Sequence, residues 1–83
     1  MKYQDGKVEL QMTGRCGELK YYESNRYASA YVEMSGVPEY HLLVWSDDFG
    51  KWSDGNSINK TEHEKILTAF KRWAEETNYK CQW

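Results

Sequence analysis

Apolar and polar residues alternate along much of the first half of the chain. Between Lys7 and Thr13 the apolar side chains of Val8, Leu10 and Met12 stand two positions apart, which is the pattern of a β-strand with one buried face. The same alternation predicts strands over 18–23, 26–34 and 40–45, with turns at 14–17 and 24–25. Because these turns are short, consecutive strands are predicted to form an antiparallel sheet.

The third of these strands has one face of small apolar residues. Ala28, Ala30 and Val32 share this face, whereas Tyr27 and Tyr31 lie on the other. Side chains in a protein core fill the space available to them. We therefore expect bulky residues of another element to pack against the small face.

A hairpin is predicted after the fourth strand. Its loop is Asp47-Asp48-Phe49-Gly50, in which Gly suits the left-handed conformation that such a turn needs. In this register Trp45 lies opposite Trp52, as a cross-strand aromatic pair that contributes about 0.2 to 1 kcal/mol.

The hydrophobic period changes to that of a helix over residues 60–77. Asn59 is a suitable N-cap, Glu62 completes a capping box, and Asn78 can terminate the helix. Apolar residues recur at spacings of three and four and form one stripe: Ile66, Leu67, Phe70, Trp73 and Ala74. Such a stripe indicates a helix with one face packed on the sheet.

The complete pattern predicts an α+β fold. We expect an antiparallel β-sheet of four to six strands, one C-terminal helix packed on one face, and a short final strand indicated by the alternation of Tyr79, Cys81 and Trp83. The chain has 83 residues, and chains of this length seldom form two cores. It is therefore interpreted as a single domain, 1–83.

Composition narrows the classes of function. Lys and Arg number 11 against 13 Asp and Glu, for a net charge of -2, so the basic field of a nucleic-acid binder is missing. A hydrophobic share of 40% argues against a disordered chain. No apolar signal segment or membrane-length run is found. We expect a cytoplasmic protein that contacts neither membranes nor nucleic acid directly.

Residue types that bind metals or act as nucleophiles are few and scattered. The spacing of Cys16, His41, His63 and Cys81 matches no compact zinc site. None of them belongs to a recognisable arrangement of nucleophile, base and orienting residue. We therefore expect no metal, no cofactor and no enzymatic activity. Free thiols are expected, with a Cys16–Cys81 disulfide as the alternative.

Aromatic residues make up 16% of the chain, and one use for them is protein recognition. Exposed Trp and Tyr anchor protein partners, and acidic residues complement a basic partner. The predicted contact surface combines both kinds of residue: Asp47, Asp48, Phe49, Trp52 and Asp54. The alternative for the same segment is a hairpin whose Trp residues are core and whose aspartates are solvated.

A second use for the aromatic residues is a stacking platform for bases. Tyr21, Tyr22, Tyr27 and Tyr31 would then serve a small nucleic-acid-binding or phage-type regulatory module. The basic residues beside them are countered by Glu18, Glu23 and Glu33. Protein recognition is therefore the preferred hypothesis.

One combination of segments extends over residues 17–82. A strand opens with Gly17-Glu18-Leu19, Trp52-Ser53-Asp54-Gly55-Asn56-Ser57-Ile58 precedes the helix, and His63, Ile66 and Leu67 lie within it. The combination resembles small immunity proteins of bacterial polymorphic toxin and contact-dependent growth inhibition systems. The resemblance implies a cytoplasmic, non-catalytic protein that binds a cognate toxin domain and blocks its active site. A basic nuclease is the expected toxin, because an acidic inhibitor would associate with it quickly.

Overall fold

The protein is an α+β domain with a five-stranded sheet and one long helix. The computed structural model describes residues 6–23, 25–46 and 49–83. The elements, in chain order, are β1 (Val8–Thr13), β2 (Cys16–Glu23), β3 (Arg26–Met34), β4 (Leu42–Val44), α1 (Lys60–Thr77) and β5 (Cys81–Gln82). The predicted fold class is confirmed.

The strands lie in the sheet in their order along the chain. β1 to β4 are antiparallel, and their registers place Leu10 opposite Leu19 and Leu19 opposite Ala30. β5 runs parallel to β4, with Leu42 beside Cys81. The expectation of a purely antiparallel sheet is thus wrong at this edge. Parallel neighbours need a crossover connection, and α1 lies within the segment that joins β4 to β5.

The core lies between α1 and one face of the sheet. Ala28, Ala30 and Val32 are completely buried, and the same buried cluster contains the rings of Phe49 and Phe70. The predicted packing of bulky residues over the small face of β3 is therefore confirmed. Full burial of a large apolar side chain stabilises the fold by about 1.5 to 3 kcal/mol.

Both ends of α1 are capped as the sequence predicts. The Asn59 side chain accepts a hydrogen bond from the Glu62 N–H at 2.8 Å, and the Glu62 side chain accepts one from the Asn59 N–H at 3.1 Å. At the other end Asn78 adopts the left-handed conformation, with φ of 62°. Within the described part of the chain, no helix is long and apolar enough to cross a membrane.

The predicted hairpin between Trp45 and Trp52 does not form in the described residues. Lys51 makes an isolated bridge with Ser57, whereas the ring of Trp45 packs against Tyr31. The reason is that the two Trp rings lie on opposite faces of the sheet. Trp52 is buried in the core, and Trp45 follows the buried Val44 by one residue and so points away from the core.

Candidate functional site

The predicted contact surface is divided by the fold. Phe49 and Trp52 are only 2% and 3% exposed, so neither ring reaches the surface in this conformation. Asp54 is exposed, and Asp47 and Asp48 lie outside the described residues. Toxin contact at these five residues stays a prediction, but Phe49 and Trp52 could join it only if the core opened.

Phe49 is held in the core by aromatic contacts. Its ring stacks on His63 with centroids 4.4 Å apart and meets Phe70 edge to face at 5.6 Å. His63 Nε2 in turn donates a hydrogen bond to the Ser46 carbonyl at 2.8 Å. The segment after β4 is therefore fastened to the first turns of α1, and Phe49 packs beneath it.

Trp52 and Asp54 are both contacts of Arg26. The guanidinium lies 3.9 Å from the centroid of the Trp52 ring and forms ion pairs at 2.9 Å with Glu23, 3.3 Å with Glu62 and 3.8 Å with Asp54. The hydrogen bond to Glu23 is the main reason that the pKa of Arg26 is raised. Arg26 thus joins β3 to the loop before α1, through Asp54, and to the start of α1, through Glu62.

The exposed aromatic residues that are best placed to meet a partner lie on the sheet face opposite α1, the open face. Tyr31 and Trp45 are 37% and 43% exposed, and their rings form an edge-to-face pair at 5.1 Å. The Trp45 N–H donates to the Tyr31 carbonyl at 2.9 Å, so both residues are fixed by strand pairing. Rigid aromatic side chains at a surface are typical anchors for protein recognition.

Two carboxylates flank this aromatic pair. Glu18 lies directly opposite Tyr31 in the β2–β3 register, and Glu33 accepts a hydrogen bond from the Tyr31 hydroxyl at 3.1 Å. Leu43 is the strand partner of Glu33 on β4. We call these residues the open-face patch: Glu18, Tyr31, Glu33, Leu43 and Trp45. Glu18 is paired with Lys20 at 3.8 Å, so the negative charge with which the patch complements a basic partner comes mainly from Glu33.

The Tyr31 hydroxyl of the patch has a raised pKa. Its pKa is raised to about 12, first by desolvation and then by the hydrogen bond to Glu33 and by interactions with Cys16. The phenol therefore stays protonated at neutral pH and continues to donate to Glu33.

A groove continues the patch along the β4–β5 edge. It has a volume of about 350 Å³ and shares Leu43 and Trp45 with the patch. Its other lining residues are Val44, Ser46, Gln82 and Trp83. A second indole thus lies close to Trp45, and the groove offers a partner a mixed polar and apolar surface.

Only two of the four tyrosines predicted to form a stacking platform are accessible. Tyr21 lies in the core cluster and Tyr22 is 7% exposed, which leaves Tyr27 and Tyr31 as the more accessible rings. The Lys20 ammonium sits 4.6 Å from the Tyr27 centroid and 3.8 Å from Glu18. The cation that would serve a phosphate is thus already engaged within the chain.

The candidate metal ligands are not brought together. Cys16 and Cys81 are free thiols, and burial raises the pKa of Cys81. His41 Nδ1 accepts a hydrogen bond from the Lys80 N–H at 2.9 Å. Among the residues that the structure describes, no group of three or more His, Cys, Asp or Glu side chains could hold a metal ion.

Sequence reasoning missed the open-face patch, although the signal was present. The alternation in β3 places Tyr31 and Glu33 opposite Ala30 and Val32, and the same rule applied to β4 places Trp45 opposite Val44. The predicted hairpin paired Trp45 with Trp52, whereas the structure pairs its ring with Tyr31.

Comparison of the chain with protein-family models, with curated proteins and with solved structures gives no match in any of the three. The resemblance to immunity proteins therefore stays a prediction.

Proposed function

We propose that the protein is a cytoplasmic immunity protein that binds a basic toxin domain, a nuclease being the favoured class, through its open-face patch. The observation that carries the proposal is the rigid pair of Tyr31 and Trp45, exposed on the open face and flanked by Glu18 and Glu33. Aromatic anchors supply binding energy at the centre of an interface. Carboxylates around them speed association with a basic surface.

The location of the patch also favours inhibition by simple occlusion. Tyr31, Glu33 and Leu43 lie within β3 and β4, whose backbones are held by neighbouring strands. A preformed surface loses little conformational entropy on binding. It can therefore cover the active-site cleft of a toxin without rearrangement of its own fold.

A base-stacking role for the same rings is the less favoured alternative. Stacked bases bring phosphates close to the surface, and Glu18 and Glu33 would repel them. Any binding of single-stranded oligonucleotides through this face should be weak even at about 50 mM salt, where phosphate contacts are strongest.

The test is a growth-protection assay with a cognate toxin. The toxin to be tested is the C-terminal domain of a large secreted protein, if one is encoded immediately upstream of this chain, expressed in bacteria with and without the chain. We expect the wild-type chain to restore growth and to co-purify with the toxin domain. The triple variant Glu18→Lys, Glu33→Lys, Trp45→Ala should lose both properties.

A matched control tests whether the effect is specific to the patch or follows from any change in net charge. Glu75→Lys with Glu76→Lys changes two exposed carboxylates on α1 and should leave protection intact. Full protection by the triple variant would refute the assigned surface. Failure of the wild-type chain to protect, or the absence of such an upstream gene, would refute the immunity function.

A further inference from the structure

The open-face patch contains a carboxylate and an exposed indole ring, the two kinds of group that bind an organic cation. Glu33 pairs with Leu43 across β3 and β4, so Trp45 is its diagonal neighbour, at a distance of about 7 to 8 Å between Cα atoms. The Tyr31 hydroxyl occupies one oxygen of Glu33. Among the described residues, no Lys or Arg lies over the ring of Trp45, although three other rings carry one.

The other face of the sheet shows what this kind of arrangement binds. There, the Trp52 ring and the carboxylates of Glu23 and Glu62 surround the guanidinium of Arg26, with the ring centroid 3.9 Å away and ion-pair distances of 2.9 and 3.3 Å. At Trp45 the Tyr31 ring, 5.1 Å away, and the diagonal neighbour Glu33 supply the same two kinds of group, one aromatic and one acidic. At Trp52 the chain supplies its own arginine, whereas at Trp45 the ring is 43% exposed to solvent.

We propose that the open-face patch is a binding site for an arginine side chain of the partner protein, whose guanidinium stacks on Trp45 and pairs with Glu33. The inference rests on the proposed function, in which that partner is the toxin domain. Arginine fits better than lysine because its planar guanidinium stacks on aromatic rings while one of its N–H groups donates to a carboxylate oxygen. The groove of about 350 Å³ beside Trp45 receives the residues next to the arginine.

The partial occupation of Glu33 strengthens this assignment. The Tyr31 hydroxyl donates to Glu33 Oε1, which orders the carboxylate before a partner arrives and lowers the entropy that binding would cost. Leu43 beside it is half-buried and provides an apolar surface for the methylene groups of the arginine.

The experiment uses an acetylated and amidated tri-arginine peptide, titrated into the ¹⁵N-labelled chain and followed by NMR. We expect shifts of the Trp45 indole N–H and of the Tyr31 and Glu33 amides. A tri-citrulline peptide, which has a similar shape but no charge, should cause none of these shifts. A tri-lysine peptide should bind about three-fold more weakly, because it lacks the planar group.

Single substitutions measure how much Glu33 and Trp45 each contribute to the affinity for tri-arginine. Glu33→Gln should weaken tri-arginine binding about ten-fold through loss of a charge-assisted hydrogen bond, and Trp45→Ala should weaken it about three-fold. Trp45 is exposed and Glu33 is half-buried, so circular dichroism should show both variants folded. The control Glu75→Gln removes the same charge from α1 and should change the affinity by less than about two-fold.

Three results would overturn the arginine site. They are an unshifted Trp45 indole at saturating tri-arginine, equal weakening by Glu33→Gln and Glu75→Gln, and stronger perturbation of Trp45 by a single-stranded oligonucleotide than by tri-arginine. The proposed function fails separately. If tri-arginine binds at Trp45 but no toxin is neutralised, the arginine site stands and the immunity role does not.

Discussion

The guanidinium of Arg26 lies over the ring of Trp52, with 3.9 Å between the guanidinium carbon and the ring centroid. This contact joins the start of β3 to the loop that precedes α1. It also explains why Trp52 does not serve as a surface anchor, since the ring is covered by Arg26 on one side and belongs to the core cluster. Within the described residues the Trp52 indole N–H is buried without a hydrogen-bond partner, so packing outweighs a polar cost of about 1 to 3 kcal/mol.

Truncation of Trp52 should cost much more stability than truncation of Trp45. Trp52→Ala should lower the free energy of unfolding by about 3 to 5 kcal/mol, because it leaves a cavity in the core. Trp45→Ala should change it by about 0.5 kcal/mol or less, because that ring is exposed. Urea denaturation of both variants measures the difference. Similar losses for the two variants would contradict the assignment of their rings to opposite faces.

Gly17 should not tolerate a side chain. A Cβ at this position would overlap the carbonyl oxygen of Gln11 and lie 2.8 Å from the Met12 Cα, so the β1 and β2 backbones would have to separate. We expect Gly17→Ala to destabilise the fold by about 1 to 3 kcal/mol, measured by thermal and chemical denaturation. The control is Gly36→Ala, where an added Cβ meets nothing within 4 Å. If both variants are equally stable, the close strand approach is absent in solution.

Tyr31 should make stability fall at high pH. Its pKa is raised from 10.0 to about 12 in the folded chain, so the unfolded chain binds fewer protons between these values. Stability from this group is therefore complete below pH 10 and is lost as the pH rises towards 12. Tyrosinate absorbance should show a late-titrating component that is lost in Tyr31→Phe. An unchanged titration curve in that variant would refute the perturbation.

The ring of His41 should control how firmly β5 is attached. The backbone N–H of Lys80 donates to Nδ1 of the His41 ring at 2.9 Å. The backbone N–H of His41 donates to the Lys80 carbonyl at 2.7 Å. His41→Phe keeps a ring beside Tyr79 but removes the acceptor. The Lys80 amide should then exchange faster in hydrogen-exchange NMR, by the equivalent of about 0.5 to 1.5 kcal/mol.

A second variant checks that this effect is local to the β4–β5 edge. His63→Phe removes the hydrogen bond to the Ser46 carbonyl and should leave Lys80 exchange unchanged. Equal acceleration of Lys80 exchange in both variants would indicate general destabilisation instead of a specific attachment.

The sequence predicts most of the fold because its signals are local. Alternation along β1 to β3, the capping box at Asn59 and the left-handed Asn78 depend on residues a few positions apart, and each is found in the structure. The parallel pairing of β5 joins Leu42 to Cys81, and no local pattern specifies the direction of so distant a partner.

The candidate site was harder to predict because Trp residues serve the core and the surface equally well. Trp45 and Trp52 have similar acidic neighbours in sequence, and only tertiary packing separates them. Trp52 packs against the Arg26 guanidinium on the core face, whereas Trp45 packs against the Tyr31 ring on the open face. An ion pair between residues 26 and 62 has no signature in either local segment.

Strand alternation has a consequence for how binding specificity can evolve. In β3 the residues that pack the core, Ala30 and Val32, interleave with Tyr31 and Glu33, which face outward. Mutations at the outward positions can therefore change the surface that the sheet presents while the packed positions keep the domain folded. Libraries randomised at the open-face patch should therefore yield variants that stay folded while their surface chemistry changes.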